Sequence, residues 1–123
     1  MFYEQHKDWI TEQEHTDIIK SVVLADKWSF GQTSDDGRYD LNFPMWTQGF
    51  FKVKDQQFTQ DTPDIIKTIS LRFVAQCPED YVLIRSMACA NTFGLDGDFH
   101  TDWPSPDKSV TGVLYTDRTW ERN

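Results

Sequence analysis

Cysteine, basic charge and long apolar runs are all scarce in this chain of 123 residues. The two cysteines, Cys77 and Cys89, make no disulfide framework and have no metal-ligand spacing, so a reducing compartment is the expected setting. Lys and Arg number 12 against 20 Asp and Glu, for a net charge of -8 and a pI near 4.6. Nucleic-acid affinity is assembled largely from cationic contacts to phosphate, and this balance argues against such a partner. No apolar run approaches the roughly 18 residues that mark a membrane span. The opening Met1-Phe2-Tyr3-Glu4-Gln5-His6 lacks the basic and apolar regions of a signal peptide. The expected location is therefore cytoplasmic, with no membrane partner. Neither a His-Glu-x-x-His motif nor a Cys pair is present, which disfavours a zinc hydrolase.

What the chain does have is apolar and aromatic content, at 38% and 15%, enough for one domain with a single core. Thr11-Glu12-Gln13-Glu14 has the form of a capping box, and Ile18, Ile19, Val22 and Val23 follow at helical spacing, predicting a helix over 12–25. A strand is expected at 27–33 and a turn at 34–37. The aromatic stretches at 43–46 and 49–53 read as core packing. Thr62 as cap, Pro63 at the first position and Asp64 in the first turn open a second helix. Its apolar residues Ile65, Ile66, Ile69, Phe73 and Val74 keep the period to about Gln76. From Cys77 onward the pattern becomes that of strands, at 81–93 and 110–115, separated by a turn at Gly94 and Gly97. Helices first and strands afterwards indicate an α+β chain, with 1–76 as helical support and 77–123 contributing the first strands of a β core.

All three histidines have an aspartate two places on: His6 and Asp8, His15 and Asp17, His100 and Asp102. Position separates them. On a helix, residues two apart diverge by roughly 200°, so His15 and Asp17 cannot reach one ion, and His15 reads as a structural histidine at the edge of an apolar face. His6 and Asp8 lie in a polar stretch without strand pattern. Only His100-Thr101-Asp102 sits between strand-like runs, where side chains two apart point the same way. An imidazole and a carboxylate so placed supply two thirds of the 2-His-1-carboxylate face that holds non-haem Fe(II).

The run from Tyr81 to Trp120 resembles the Fe(II)- and 2-oxoglutarate-dependent dioxygenases of the prolyl 4-hydroxylase-like type, phage-encoded members included. It offers in order a strand, Asn91-Thr92-Phe93-Gly94, His-x-Asp, a short polar loop, a strand ending in Tyr115, and a charged stretch closing on Trp120. The resemblance implies a double-stranded β-helix, a jelly roll, with supporting N-terminal helices and iron at one mouth. It implies His100 and Asp102 as iron ligands, and Tyr115, Val113 and Asn91 in the 2-oxoglutarate pocket. Phe99 and Trp103, which flank the ligands, would line the entrance for a small-molecule or peptide substrate or else pack within the barrel. The chemistry implied couples oxidative decarboxylation of 2-oxoglutarate to C–H hydroxylation with O2, using Fe(II) kept reduced by ascorbate.

Two departures matter. Met87 and Cys89 stand where many relatives carry tyrosine or asparagine, and the distal histidine and the basic residue that pairs with 2-oxoglutarate do not follow Trp120. On the resemblance, the chain is expected to be the N-terminal part of a dioxygenase, a single domain incomplete at its C-terminus and inactive alone. The competing expectation is a non-catalytic jelly-roll or sandwich binding module, or a degraded oxygenase relic.

Overall fold

A computed structural model of the chain describes residues 4–33, 44–90 and 108–117. The first helix, α1, spans Glu12–Ile18 and starts as its capping box dictates. The Thr11 hydroxyl accepts from the Glu14 N–H at 3.1 Å, and the Glu14 carboxylate accepts from the Thr11 N–H at 2.9 Å. The expected 12–25 helix does not continue as α: Ile19–Val23 forms a π-helical turn, with the Leu24 N–H reaching back to the Ile19 carbonyl. Its terminal carbonyls are taken up by side chains. Gln48 Nε2 donates to Val22 O at 2.9 Å, and Trp28 Nε1 donates to Val23 O at 3.2 Å. These contacts satisfy acceptors that a helix end leaves without partners.

The sheet is antiparallel, and among the described residues it has four strands: β1 (Ser29–Thr33), β2 (Pro44–Lys52), β3 (Gln57–Phe58) and β4 (Arg85–Ala90). The nine-residue β2 is central. One of its edges carries β1, from Ser29 opposite Thr47 to Thr33 opposite Pro44, and then β3, with Phe51 opposite Phe58. The other edge is lined by β4, from Trp46 opposite Ala90 to Lys52 opposite Arg85. The register of β1 slips between Phe30 and Gln32, and Gly31 lies there at φ +127, a region L side chains rarely adopt. Strands are therefore not confined to 77–123, since β1, β2 and β3 all precede the second helix.

That helix, α2 (Asp64–Ala75), begins one residue later than expected, with Pro63 at its cap and no side-chain cap bond. Thr62 is occupied elsewhere: its buried hydroxyl lies 2.7 Å from that of Thr59 and donates to Phe50 O. Both helices lie on one face of the sheet. Ile18, Val22, Phe50 and Ile66 form the buried core, flanked by Ile10, Trp28, Phe58, Ile65, Ile69 and Ala88. Ser86 Oγ meets Ser70 Oγ of α2 at 2.9 Å. Ser86 and Ala88 therefore face the helices, and by strand alternation Met87 and Cys89 face the opposite side. The aromatic stretch of β2 does supply core, through Phe50 and Met45.

The expected strand at 110–115 is not found in the ladder. Residues 111–117 have no regular secondary structure. They run over the helical side, where the Gly112 backbone rests on the Phe73 ring. The stretch 81–84 likewise lies outside β4, and the turn expected at 34–37 falls outside the described residues. The observed class is mixed α+β.

Candidate functional site

Of the residues singled out for chemistry, His100, Asp102, Asn91, Phe99 and Trp103 lie outside the described residues. β4 carries the chain to Ala90, opposite Trp46, and the Trp46 ring packs against that of Phe30, tilted by 46° with centroids 4.9 Å apart.

Tyr115 and Val113 are described, and both side chains point largely to solvent, at 81% and 68% exposed. They belong to the segment over the helices, outside the sheet. Beside them, His15 Nε2 lies 2.8 Å from the Thr116 carbonyl. A carbonyl can only accept, so Nε2 carries a proton and donates. His15 is the structural histidine its place on the helix implied. His6 Nε2 sits 2.9 Å from a Glu4 carboxylate oxygen on the surface. Among the described residues no cluster of three His, Cys, Asp or Glu side chains could hold a metal ion.

Two polar constellations emerge that sequence reading missed. In the first, Arg72 of α2 reaches α1 and holds both carboxylate oxygens of Glu14, one at 3.1 Å, while Nη1 also donates to Trp9 O at 3.2 Å. The guanidinium lies over the Trp9 ring at 5.2 Å, and Trp9 Nε1 donates to Gln76 Oε1 at 2.9 Å. The Arg72 hydrogen bonds, followed by that from the Thr11 N–H, hold the Glu14 carboxyl down at about 2, from an ordinary 4.5. Arg72 is raised in turn, chiefly by its bond to Glu14. The pairing is long-range, 58 positions apart in the chain, and nothing local in the sequence signals it.

The second lies beside β2, in a cleft of about 70 Å³ lined by Gln48, Gly49 and Phe50 of that strand, Lys27 before β1, and Asp61 and Pro63 before α2. Lys27 Nζ approaches Asp61 Oδ2 at 3.3 Å, and the Thr59 hydroxyl donates to Oδ1 at 3.1 Å. The Thr59 bond first, and Lys27 second, lower the Asp61 carboxyl below its usual range. The cleft is about the size of a few waters, and its charged groups neutralise each other.

No family model matches the chain, and searches of curated proteins and of solved structures gave no match. Among the described residues no helix is long and apolar enough to cross a membrane.

Proposed function

We propose that the chain carries part of an Fe(II)- and 2-oxoglutarate-dependent dioxygenase site of the prolyl 4-hydroxylase-like kind, built on a jelly-roll core. The observation that supports this reading is one of sequence order: β4 ends at Ala90, and the sequence that follows holds Asn91, Gly94, Gly97 and His100-Thr101-Asp102. An antiparallel sheet whose helices, among the described residues, lie on one face is compatible with it, because the opposite face, bearing Met87 and Cys89, is the side a barrel interior would use. The donor set is chemically apt, one imidazole and one carboxylate for a divalent iron with open positions.

In this reading His100 and Asp102 hold the ion, Tyr115 and Asn91 contribute hydrogen bonds to the 2-oxo acid, and Val113 supplies apolar wall. Phe99 and Trp103 exclude water at the entrance, where desolvation protects the reacting centre. Bound iron, with 2-oxoglutarate and O2, would supply the oxidising power for C–H hydroxylation. The other two imidazoles of the chain are engaged by Glu4 and Thr116, so the third ligand is assigned to neither.

One observation favours the second reading, a non-catalytic binding module. Tyr115 lies exposed on a segment outside the sheet, and a module without a cofactor needs nothing else of it. Fe(II) titration under anaerobic conditions separates the two. The dioxygenase reading expects weak one-to-one binding that disappears in both His100→Ala and Asp102→Ala. Unchanged affinity in both variants would overturn it.

A further inference from the structure

Ile19–Val23 prolongs α1 as a π turn, although nothing in its own sequence calls for one. The capping box opens a helix whose apolar spacing runs on toward Ala25, and neither glycine nor proline interrupts 12–25. A π turn is rare where an α turn can form. Core packing does not choose between them either. Ile18 and Val22 are the buried residues of this stretch, and residues four apart lie within about 40° of each other on an α-helix, so both would still face the core. The choice therefore falls to the hydrogen bonds at the helix end.

There the donors come from outside the helix. Were it to continue as α past Ala25, the Val22 carbonyl would accept from the Asp26 N–H. It accepts instead at 2.9 Å from Nε2 of Gln48, a buried residue of β2, and at 3.3 Å from the Ala25 N–H, while the Leu24 N–H bonds to Ile19 O at 2.9 Å. Trp28 Nε1 takes the next carbonyl, that of Val23, at 3.2 Å. Losing Val22 O would leave the buried Gln48 amide short of an acceptor, a larger cost than breaking the exposed Trp28 bond. We infer that Ile19–Val23 is a two-register element: the Gln48 amide holds it in the π register, and without that amide it returns to the α register and releases the Trp28 indole from Val23. The turn thereby couples the central strand to the start of β1, since Trp28 stands directly before Ser29. A local rival exists in Ser21, whose hydroxyl donates to the Asp17 carbonyl at 2.5 Å, a back-bond of the kind that bends helices.

Scalar couplings across hydrogen bonds, from amide nitrogen to carbonyl carbon, name the donor and acceptor of each backbone bond and so read the register of the 123-residue chain directly. Wild type is expected to couple Leu24 N to the Ile19 carbonyl carbon. In Gln48→Met, which keeps the length of the side chain and loses the donor, that coupling should pass to Lys20. Exchange of the Trp28 indole proton should rise about fivefold, the equivalent of one net hydrogen bond. Couplings between β2 and β4 verify that a variant is folded, and Gln48→Leu takes the place of Gln48→Met if the latter loses them. Ser21→Ala should leave the π coupling where it is. The inference fails if a folded Gln48 variant keeps Leu24 coupled to Ile19, or if Ser21→Ala alone moves the coupling to Lys20.

Discussion

Arg72 grips both carboxylate oxygens of Glu14, a residue 58 positions earlier, and the same carboxylate closes the capping box of α1. One side chain thus performs two tasks: it terminates a helix start and joins that helix to α2. With only 16% of the Glu14 side chain exposed, the pair is less screened than a surface ion pair.

The pH dependence follows from the Glu14 carboxyl at about 2 against an ordinary 4.5. A carboxyl depressed in the folded state contributes stability that is fully present above about 4.5 and is lost as pH falls toward 2. Urea midpoints of wild type and Glu14→Gln should differ by a constant amount at neutral pH and converge between those two values. A gap that stays constant down to pH 2 would show that Arg72 does not hold the charged form.

Thr11→Ala deletes the hydroxyl that accepts from the Glu14 N–H and should destabilise by about 1 kcal/mol, with Thr11→Ser close to wild type. Chemical denaturation reads both. Equal losses in the two variants would assign the effect to the threonine methyl and not to the cap.

Gln48 is buried beneath the π-helical turn with Nε2 on Val22 O. Gln48→Leu removes the shorter of two hydrogen bonds to that carbonyl, which keeps the Ala25 N–H at 3.3 Å, and should cost about 1 kcal/mol. Gln48→Glu should be worse at pH 7, where a buried carboxylate faces a carbonyl oxygen, and partly recover in acid, where the protonated carboxyl can donate. Its folded pKa would be raised, so its contribution is present at low pH and lost as pH rises. Denaturation curves for Gln48→Glu that do not move between pH 4 and 7 would contradict this.

Assayed alone with Fe(II), ascorbate and 2-oxoglutarate, the 123-residue chain is expected to release succinate far more slowly than the roughly 1 per second of an ordinary enzyme. The reason is its donor set, since His6 and His15 are both committed elsewhere. Faster turnover abolished by His15→Ala would mean that His15 leaves Thr116 to complete the metal set.

Local physics was the legible part of this fold. The capping box at Thr11 and Glu14 and the apolar period of Ile65, Ile66 and Ile69 act within a few residues and read directly from the chain. The π turn did not, because Gln48 and Trp28, which satisfy its carbonyls, come from β2 and from beyond the turn. Thr62 looked like a cap because threonine before proline usually is one, but the Phe50 carbonyl and Thr59 claimed its hydroxyl. Residues 110–115 have strand composition, yet a glycine in their midst lets the backbone settle on Phe73. For the candidate site, the motif fixed which side chains to name, while spatial convergence depends on tertiary contacts that spacing does not encode.

Among the described residues, β2 is the strand to which each other strand pairs, and this orders the events of folding. Its pairing with β3 closes a tight turn between Lys52 and Gln57, a contact available within microseconds. Its pairing with β4 sets residue 46 opposite residue 90 and must wait until the intervening stretch, α2 included, has been gathered in. Closing that longer loop costs more chain entropy than closing the β2–β3 turn. Refolding should therefore show early protection at the β2–β3 hairpin and late protection along β4, the strand that feeds the His100 and Asp102 segment.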